Sequence, residues 1–182
     1  MQLSDEFIMP TLSTERLVLR ALTFEDAPTI HLLRSNEQVN QYLDRPKTTT
    51  IEAAKEFIDK IHKGTLRNNC YYWAVCFKDK DKLLGTTCLW NISEDNTKAE
   101  MGYELHPDFQ GNGIMQEAVQ AVIEFAFGTL HFKLITAVTH PMNTASQKLL
   151  SKKDFLQDTD YTYVSKEEAN GDWVYYLKNK LL

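Results

Sequence analysis

No run of this chain approaches the roughly 20 consecutive apolar residues that a membrane-spanning helix needs, so no membrane partner is expected. Cysteine is scarce: Cys70, Cys76 and Cys88 make an odd count with no Cys-x-x-Cys pair, which implies free thiols in a reducing compartment. The opening MQLSDEFIMP carries acids and no hydrophobic core, unlike a signal peptide, and a cytoplasmic location is expected. Basic excess is missing too. With 20 Lys and Arg against 25 Asp and Glu, the net charge of −5 speaks against a nucleic-acid surface. His31, His62, His106, His131 and His140 have no paired ligand spacing, so no metal is expected. No repeat, low-complexity segment or Pro/Gly/Ser-rich linker divides the chain. Its 182 residues, 43% of them hydrophobic, suit a single domain over 1–182.

What is present reads as alternating element types. Residues 16–22 alternate polar and apolar, the period of a half-buried strand. Thr23 and Asp26 make a capping-box pattern before a first helix reaching about Arg34, with Pro28 beyond its first turn as a source of distortion. Thr49 and Glu52 form a second box. The helix after it has Ile51, Ala54, Phe57, Ile58 and Ile61 on one face and Gly64 as its stop. Aromatic and β-branched residues over 71–77, a charged turn over 79–82, and strands over 83–92 and 96–105 predict an antiparallel meander. A patterned helix follows, with Met115, Ala118, Val119, Val122, Phe125 and Ala126 inward and Gln116, Glu117, Gln120 and Glu124 outward. A strand over 133–138 then implies a parallel crossover. Asn143 caps another helix, and strands over 155–164 and 173–177 flank the turn 170–172. The expectation is an α+β domain on one mixed, mostly antiparallel sheet, in the order β-α-α-β-β-β-α-β-α-β-β. Edge strands near the C-terminus offer a surface for a homodimer.

The most informative stretch runs from Ala99 to Ala118, AEMGYELHPDFQGNGIMQEA. A strand passes through a glycine-bearing loop into a helix, whose first amides and positive dipole end form an anion site. The glycines allow close approach of the backbone. A glycine pair before a helix is equally a structural turn, but two named cradles fail on spacing. Gln116 stands where a dinucleotide fingerprint needs a small residue, and no Gly-Lys-Ser/Thr is present for a Walker loop. What remains suits a pyrophosphate. Glu100, on the preceding strand, places a carboxylate beside this cradle, which suggests a proton acceptor next to a phosphate-bearing cofactor. Its bland reading is a solvated or salt-bridged strand glutamate, and Glu104 on the same face competes with it. The cysteines read as core, and Tyr71, Tyr72 and Trp73 as packing.

Together with this element order, several motifs resemble the GNAT superfamily of acetyl-coenzyme A-dependent N-acetyltransferases, most closely its ribosomal-protein branch. They are TERLVLR from Thr14, YWAV from Tyr72, LGT from Leu84, AEMGY from Ala99, QGNG from Gln110 leading into Glu117 and Ala118, and NTASQKLL from Asn143. The resemblance covers nearly the whole chain. It implies that Gln110, Gly111, Asn112, Gly113, Ile114 and Met115 hold the coenzyme A pyrophosphate through main-chain amides, Met115 replacing the commoner Gly or Ala. It implies Glu100 as base, Asn143 on the pantetheine arm and Ser146 near the sulfur as proton donor. The tyrosine acid of many members is Leu150 here, which leaves the acid open, and Asp154 replaces the usual Gly after this helix. Acetyl-coenzyme A is then a co-substrate and an amine-bearing acceptor the partner: a protein N-terminus such as that of a ribosomal protein, or a small amine such as an amino acid, polyamine or aminoglycoside-like compound. The acceptor site is expected between residues 24–64 and the loop 166–172. A non-catalytic acyl-coenzyme A-binding domain is the rival, favoured by the missing tyrosine and opposed by Glu100.

Overall fold

The computed structural model describes residues 9–180; the acidic opening stretch, residues 1–8, lies outside them. Among the described residues eight strands form one sheet, and six helices with two 3-10 turns connect them. The meander β1 (Leu12–Ser13), β2 (Leu17–Ala21), β3 (Tyr71–Phe77), β4 (Lys80–Trp90) and β5 (Lys98–Leu105) is antiparallel throughout. Helix α4 (Ile114–Gly128) then crosses to β6 (Leu134–Thr139), parallel to β5. After α5 (Thr144–Lys152), β7 (Leu156–Gln157) and β8 (Trp173–Lys178) complete the order β1-β2-β3-β4-β5-β6-β8-β7. The expected α+β class and mixed sheet are present.

Two cores sandwich the sheet. Strand alternation sends Leu17, Leu19, Trp73, Val75 and Leu89 to one face, where Ala118, Val119 and Val122 of α4 cover them. Ala74, Cys76 and Leu83 point the other way, beneath Ile30 and Leu33 of α1 (Ala27–Ser35) and Ala54 and Ile58 of α3 (Ile51–Leu66). Each such fully buried aliphatic side chain contributes about 1.5–3 kcal/mol relative to exposure. Met115 is packed inward, as its place in the apolar stripe predicts. Among the described residues no helix is long and apolar enough to cross a membrane.

Local chemistry departs from the sequence expectations at several ends. Asp26 accepts from the Thr23 amide at 2.8 Å, as the capping box requires, but closes only a 3-10 turn. Helix α1 starts after it, so Pro28 falls in the first turn, where no amide donor is needed, and causes no distortion. The cap of α3 is Thr50, whose hydroxyl accepts from Ala53 at 3.1 Å, not Thr49. Gly64 lies inside α3, which ends beyond it at Leu66 because Asn68 supplies the left-handed φ of 56° that stops the chain. Strand β4 begins at Lys80 rather than 83, since backbone pairing of the hairpin continues beneath exposed charged side chains. The predicted strand over 155–164 shrinks to β7: the Asp158 carboxylate accepts from Tyr163 N at 2.9 Å and Tyr161 turns left-handed, folding the rest into a loop. The C-terminal sheet edge is therefore two residues long. Unforeseen short elements are β1, α2 (Glu37–Asn40) and α6 (Lys166–Ala169), the last held by a Ser165–Glu168 capping box. Asp154 does adopt the left-handed stop after α5, at φ 61°.

Gly85 packs β4 against β5 more closely than any side chain allows. A Cβ there would lie 2.2 Å from the Glu104 carbonyl oxygen and 2.9 Å from Leu105 Cα. Gly85→Ala is expected to destabilise the fold by about 1–3 kcal/mol through overpacking, read as a lowered urea midpoint. An unchanged midpoint would show that β5 yields at no cost.

Candidate active site

The loop between β5 and α4 is built to leave amides free. A 3-10 turn (Pro107–Phe109) ends β5, and the Gln110 side chain donates back to the Leu105 carbonyl at 3.0 Å. Gly111 and Gly113 take left-handed φ values of 77° and 72°. A Cβ on Gly111 would meet nothing within 4 Å, so glycine is required there by conformation, and the space beside it is open. The helical ladder of α4 starts with Glu117 N donating to Gly113 O at 3.0 Å. The amides of Ile114, Met115 and Gln116 precede it and have no acceptor within the helix. Such a cradle fits a pyrophosphate carried by main-chain donors at the positive end of a helix.

Arg16, at the start of β2, clamps this loop. Its Nε donates to Glu117 Oε2 at 2.6 Å and its Nη1 to the Asn112 carbonyl at 3.1 Å. Thr14 Oγ1 and the Arg16 amide bind the other Glu117 oxygen at 2.5 and 2.9 Å. Burial pushes the Glu117 carboxyl up, but these bonds outweigh it and hold it below the usual carboxylate range. Because a trans peptide opposes its C=O and N–H, turning the Asn112 carbonyl toward Arg16 turns the Gly113 amide away from it. The sequence placed Glu117 on the solvent face of α4; its partner is 101 residues away.

Beside the cradle the sheet opens. Parallel pairing of β5 with β6 comprises Lys98–Leu134, Ala99–Ile135 and Glu100–Thr136, and then ends. Beyond that point β5 remains bound to β4 and β6 to β8. A cavity of about 460 Å³ lies at this parting, bordered by Tyr103, Gly113, Asn143 and Ser146, with Gln38 and Tyr42 on its far wall. That volume falls within the range of small-molecule sites. Asn143 Oδ1 accepts from Ser146 N at 3.1 Å, so its cap role is real; the amide nitrogen of its side chain faces no such demand. Ser146 Oγ lies 2.8 Å from Tyr103 Oη, and burial pushes the Tyr103 phenol up to about 12 against the lowering effect of that bond. Leu150 is fully buried and brings no hydroxyl to α5. Tyr42 stacks on His140 at 5.2 Å, tying the segment after α2 to the end of β6.

The two strand carboxylates point to the opposite sheet face from Tyr103. Glu104 borders the cavity and is committed: it pairs with Arg45 and accepts from Thr86 at 3.1 Å, Thr86 in turn lying 3.0 Å from the Tyr72 hydroxyl. Glu100 lies about 13 Å further along the strand, at the last paired rung and outside the cavity wall. Burial raises its carboxyl above the usual range, opposed by the Asn91 side chain and Lys98. Between them, Gly102 leaves room for Cys88, whose Sγ would sit 3.0 Å from a Cβ there, and for Trp90. Burial pushes the Cys88 thiol well up, so it carries no thiolate near neutral pH. Of the segments expected to line an acceptor site, the structure brings only part to this cavity. Residues of α2 and the chain after it border the cavity, while 166–172 packs over β8 through Ala169 and Val174. Among the described residues no group of three His, Cys, Asp or Glu is placed to hold a metal ion.

The sequence model of the acetyltransferase (GNAT) domain matches residues 16–155, from the Arg16 clamp through cradle and cleft to Phe155. The chain belongs to the GNAT acetyltransferase family. It is 33% identical over 150 residues, 82% of this chain and 84% of the other, to the uncharacterized N-acetyltransferase p20 of Bacillus licheniformis. The [ribosomal protein uS5]-alanine N-acetyltransferase of Escherichia coli K12 shares 26% identity over 174 residues, covering 89% and 85% of the two chains. RimL, the ribosomal L7/L12 alpha-N-protein acetyltransferase solved with coenzyme A, superimposes with TM-score 0.76 over 93% of this chain and 98% of its own; at 22% identity that likeness is one of fold. As a GNAT member the protein is an acyltransferase related to ribosomal-protein acetyltransferases.

Sequence reasoning missed Arg16, Arg45 and Tyr103. Only Tyr103 left a usable signal, since alternation along β5 sets it on the face opposite Glu100 and Glu104. Arg16 generates a prediction for this GNAT cradle. Arg16→Ala is expected to weaken coenzyme A binding about tenfold, corresponding to ~1.4 kcal/mol, by calorimetry. Arg16→Lys should recover only part of that, lacking the planar fork. Wild-type affinity in Arg16→Ala would dissociate the clamp from the cradle.

Proposed function

We propose that this protein transfers the acetyl group of acetyl-coenzyme A to a primary amine by direct attack within a ternary complex. The observation that carries the reading is the parting of β5 from β6 immediately beside the free amides at the start of α4. A cofactor pyrophosphate would rest on the amides of residues 111–115, and Asn143 would donate to the pantetheine arm lying between the parted strands. Acetyl-coenzyme A supplies an activated thioester when bound, and this chain orients it, excludes water and manages protons. The amine enters from the face carrying the carboxylates, so attack needs no covalent enzyme intermediate. Ser146, on the cavity wall opposite that face, is placed in this reading to donate to the departing sulfur. Relatives that act on ribosomal proteins favour a protein N-terminus as acceptor over a small amine. A cytoplasmic site of action goes with that acceptor.

Glu100 is the base in this proposal. Burial raises its proton affinity, which suits a group that must accept a proton near neutral pH, and at about 13 Å from Glu104 along the strand it would receive that proton through water rather than by direct contact. One observation favours Glu104 instead: it borders the cavity directly. Its carboxylate is already engaged by Arg45 and Thr86, which makes it a holder of the 41–45 segment.

Thiol release from acetyl-coenzyme A, followed over a panel of N-terminal peptides and small amines, tests the activity. Turnover above background hydrolysis with at least one acceptor is expected; none across the panel would overturn enzymatic transfer. For the base the sign is fixed by ionisation. Glu100 acts only when deprotonated, so kcat/KM should fall as pH drops through a limb above the usual carboxylate value of about 4.3. Glu100→Gln should cost on the order of 100-fold, most at lower pH where free amine is scarce, with coenzyme A affinity kept. A pH profile unchanged in Glu100→Gln but reshaped in Glu104→Gln would transfer the role to Glu104.

A further inference from the structure

The hydroxyl pair Tyr103–Ser146 is not required by either element that carries it. Tyr103 comes from the end of β5 that no longer pairs with β6 and Ser146 from the first turn of α5, 43 residues apart, and the two meet at 2.8 Å on the cavity wall. Ser146 has its backbone fixed by the Asn143 cap, so the position of its Oγ is set independently of Tyr103. What the cap does not set is the direction of the Ser146 proton. A lone serine hydroxyl rotates among its acceptors, and a neighbour that donates to it removes that freedom. Tyr103 is placed to be that neighbour: either hydroxyl can donate across the 2.8 Å contact, and when the Tyr103 phenol, which burial keeps protonated, gives its hydrogen to Ser146 Oγ, the Ser146 proton is left to point into the cavity.

We propose that Tyr103 is a positioning residue that orients and polarises the Ser146 hydroxyl toward the leaving sulfur, in place of the helix tyrosine whose position Leu150 occupies. The inference rests on the acetyltransferase reading given above. In the step, the amine nitrogen forms the C–N bond as the C–S bond breaks, and the C–S electron pair stays on sulfur. Ser146 donates a hydrogen bond to that developing thiolate, strengthened because Ser146 itself accepts one from Tyr103. The nitrogen gives its proton to the base and then to water, and sulfur takes a proton from water on release. In sum one proton moves from nitrogen to sulfur. No proton leaves Tyr103 or Ser146, as befits hydroxyls less acidic than a thiol.

Single-turnover and steady-state kinetics of Tyr103→Phe, Ser146→Ala and the double variant test this, using an acceptor that the wild type acetylates. Tyr103→Phe is expected to lower kcat about tenfold and Ser146→Ala on the order of 100-fold, both with KM for acetyl-coenzyme A and calorimetric affinity for coenzyme A near wild type. Because Tyr103 acts through Ser146, the double variant should be no slower than Ser146→Ala. A merely structural tyrosine would instead raise KM and multiply its loss onto that of Ser146→Ala. Thermal unfolding of Tyr103→Phe within a few degrees of wild type excludes a misfolded variant; if it unfolds, 3-fluorotyrosine at position 103, a stronger donor of nearly the same shape, should hold or raise kcat. Wild-type kcat in Tyr103→Phe, a double variant at the product of the two losses, or a fall in kcat with fluorotyrosine each overturns the proposal while leaving the activity intact. A wild type that acetylates nothing overturns the activity and this inference together.

Discussion

Everything the site can do depends on where two parallel strands stop pairing. Three rungs hold β5 to β6, and after Glu100 each strand keeps a partner on its outer side only. Freed backbone groups would be costly if buried without partners, and the freed end of β5, Tyr103 to Leu105, borders a cavity whose other side is residues 142–146 beyond β6. A gap between strands is long, narrow and lined by donors and acceptors, which is the shape of an extended ligand arm. The adjoining helix start then supplies amides for an anion at one end. A sheet paired along its whole length would have left the α4 cradle as an ordinary surface turn.

Strand β5 also works as a partition. Its two-residue period sends Tyr103 to the side of α4 and α5, and Glu100, Gly102 and Glu104 to the side of α1 and α3. Groups that would handle the leaving sulfur and groups that would handle the amine proton are thus separated by one thickness of backbone. Gly102 keeps the floor thin between them, backed by Cys88. Charge is managed locally on each side. Arg16 is tied to Glu117 by the cradle, and Arg45 to Glu104 by the cavity, so neither carboxylate is left as an unpaired charge in a half-buried place.

Where local chemistry decides, the sequence was readable. The apolar stripe of α4, the cap at Asn143, and the left-handed stop at Asp154 act within a turn or two of chain, and residue type alone carries them. Where two neighbouring residues offer the same chemistry, tertiary fit chooses: Thr50 caps α3 because its hydroxyl reaches Ala53, although Thr49 has the same side chain. Pairing of β4 past its charged turn, and the collapse of 155–164 to two strand residues, were set by partners far away in sequence.

For the site, the sequence by itself determined the cradle. Left-handed glycines ahead of a helix, an amide-donating first turn and a carboxylate on the preceding strand all follow from a contiguous 20-residue stretch. Only the tertiary structure decided which groups stand around it. Arg16 reaches Glu117 across 101 residues, Arg45 reaches Glu104 across 59, and Tyr103 reaches Ser146 across 43. Such pairs leave no periodic trace, because nothing in the local propensity of a strand or helix depends on a partner brought in by the sheet order. The parting of β5 and β6 is of the same kind. It is fixed by which outer neighbour each strand keeps, a property of the whole sheet and of no single segment.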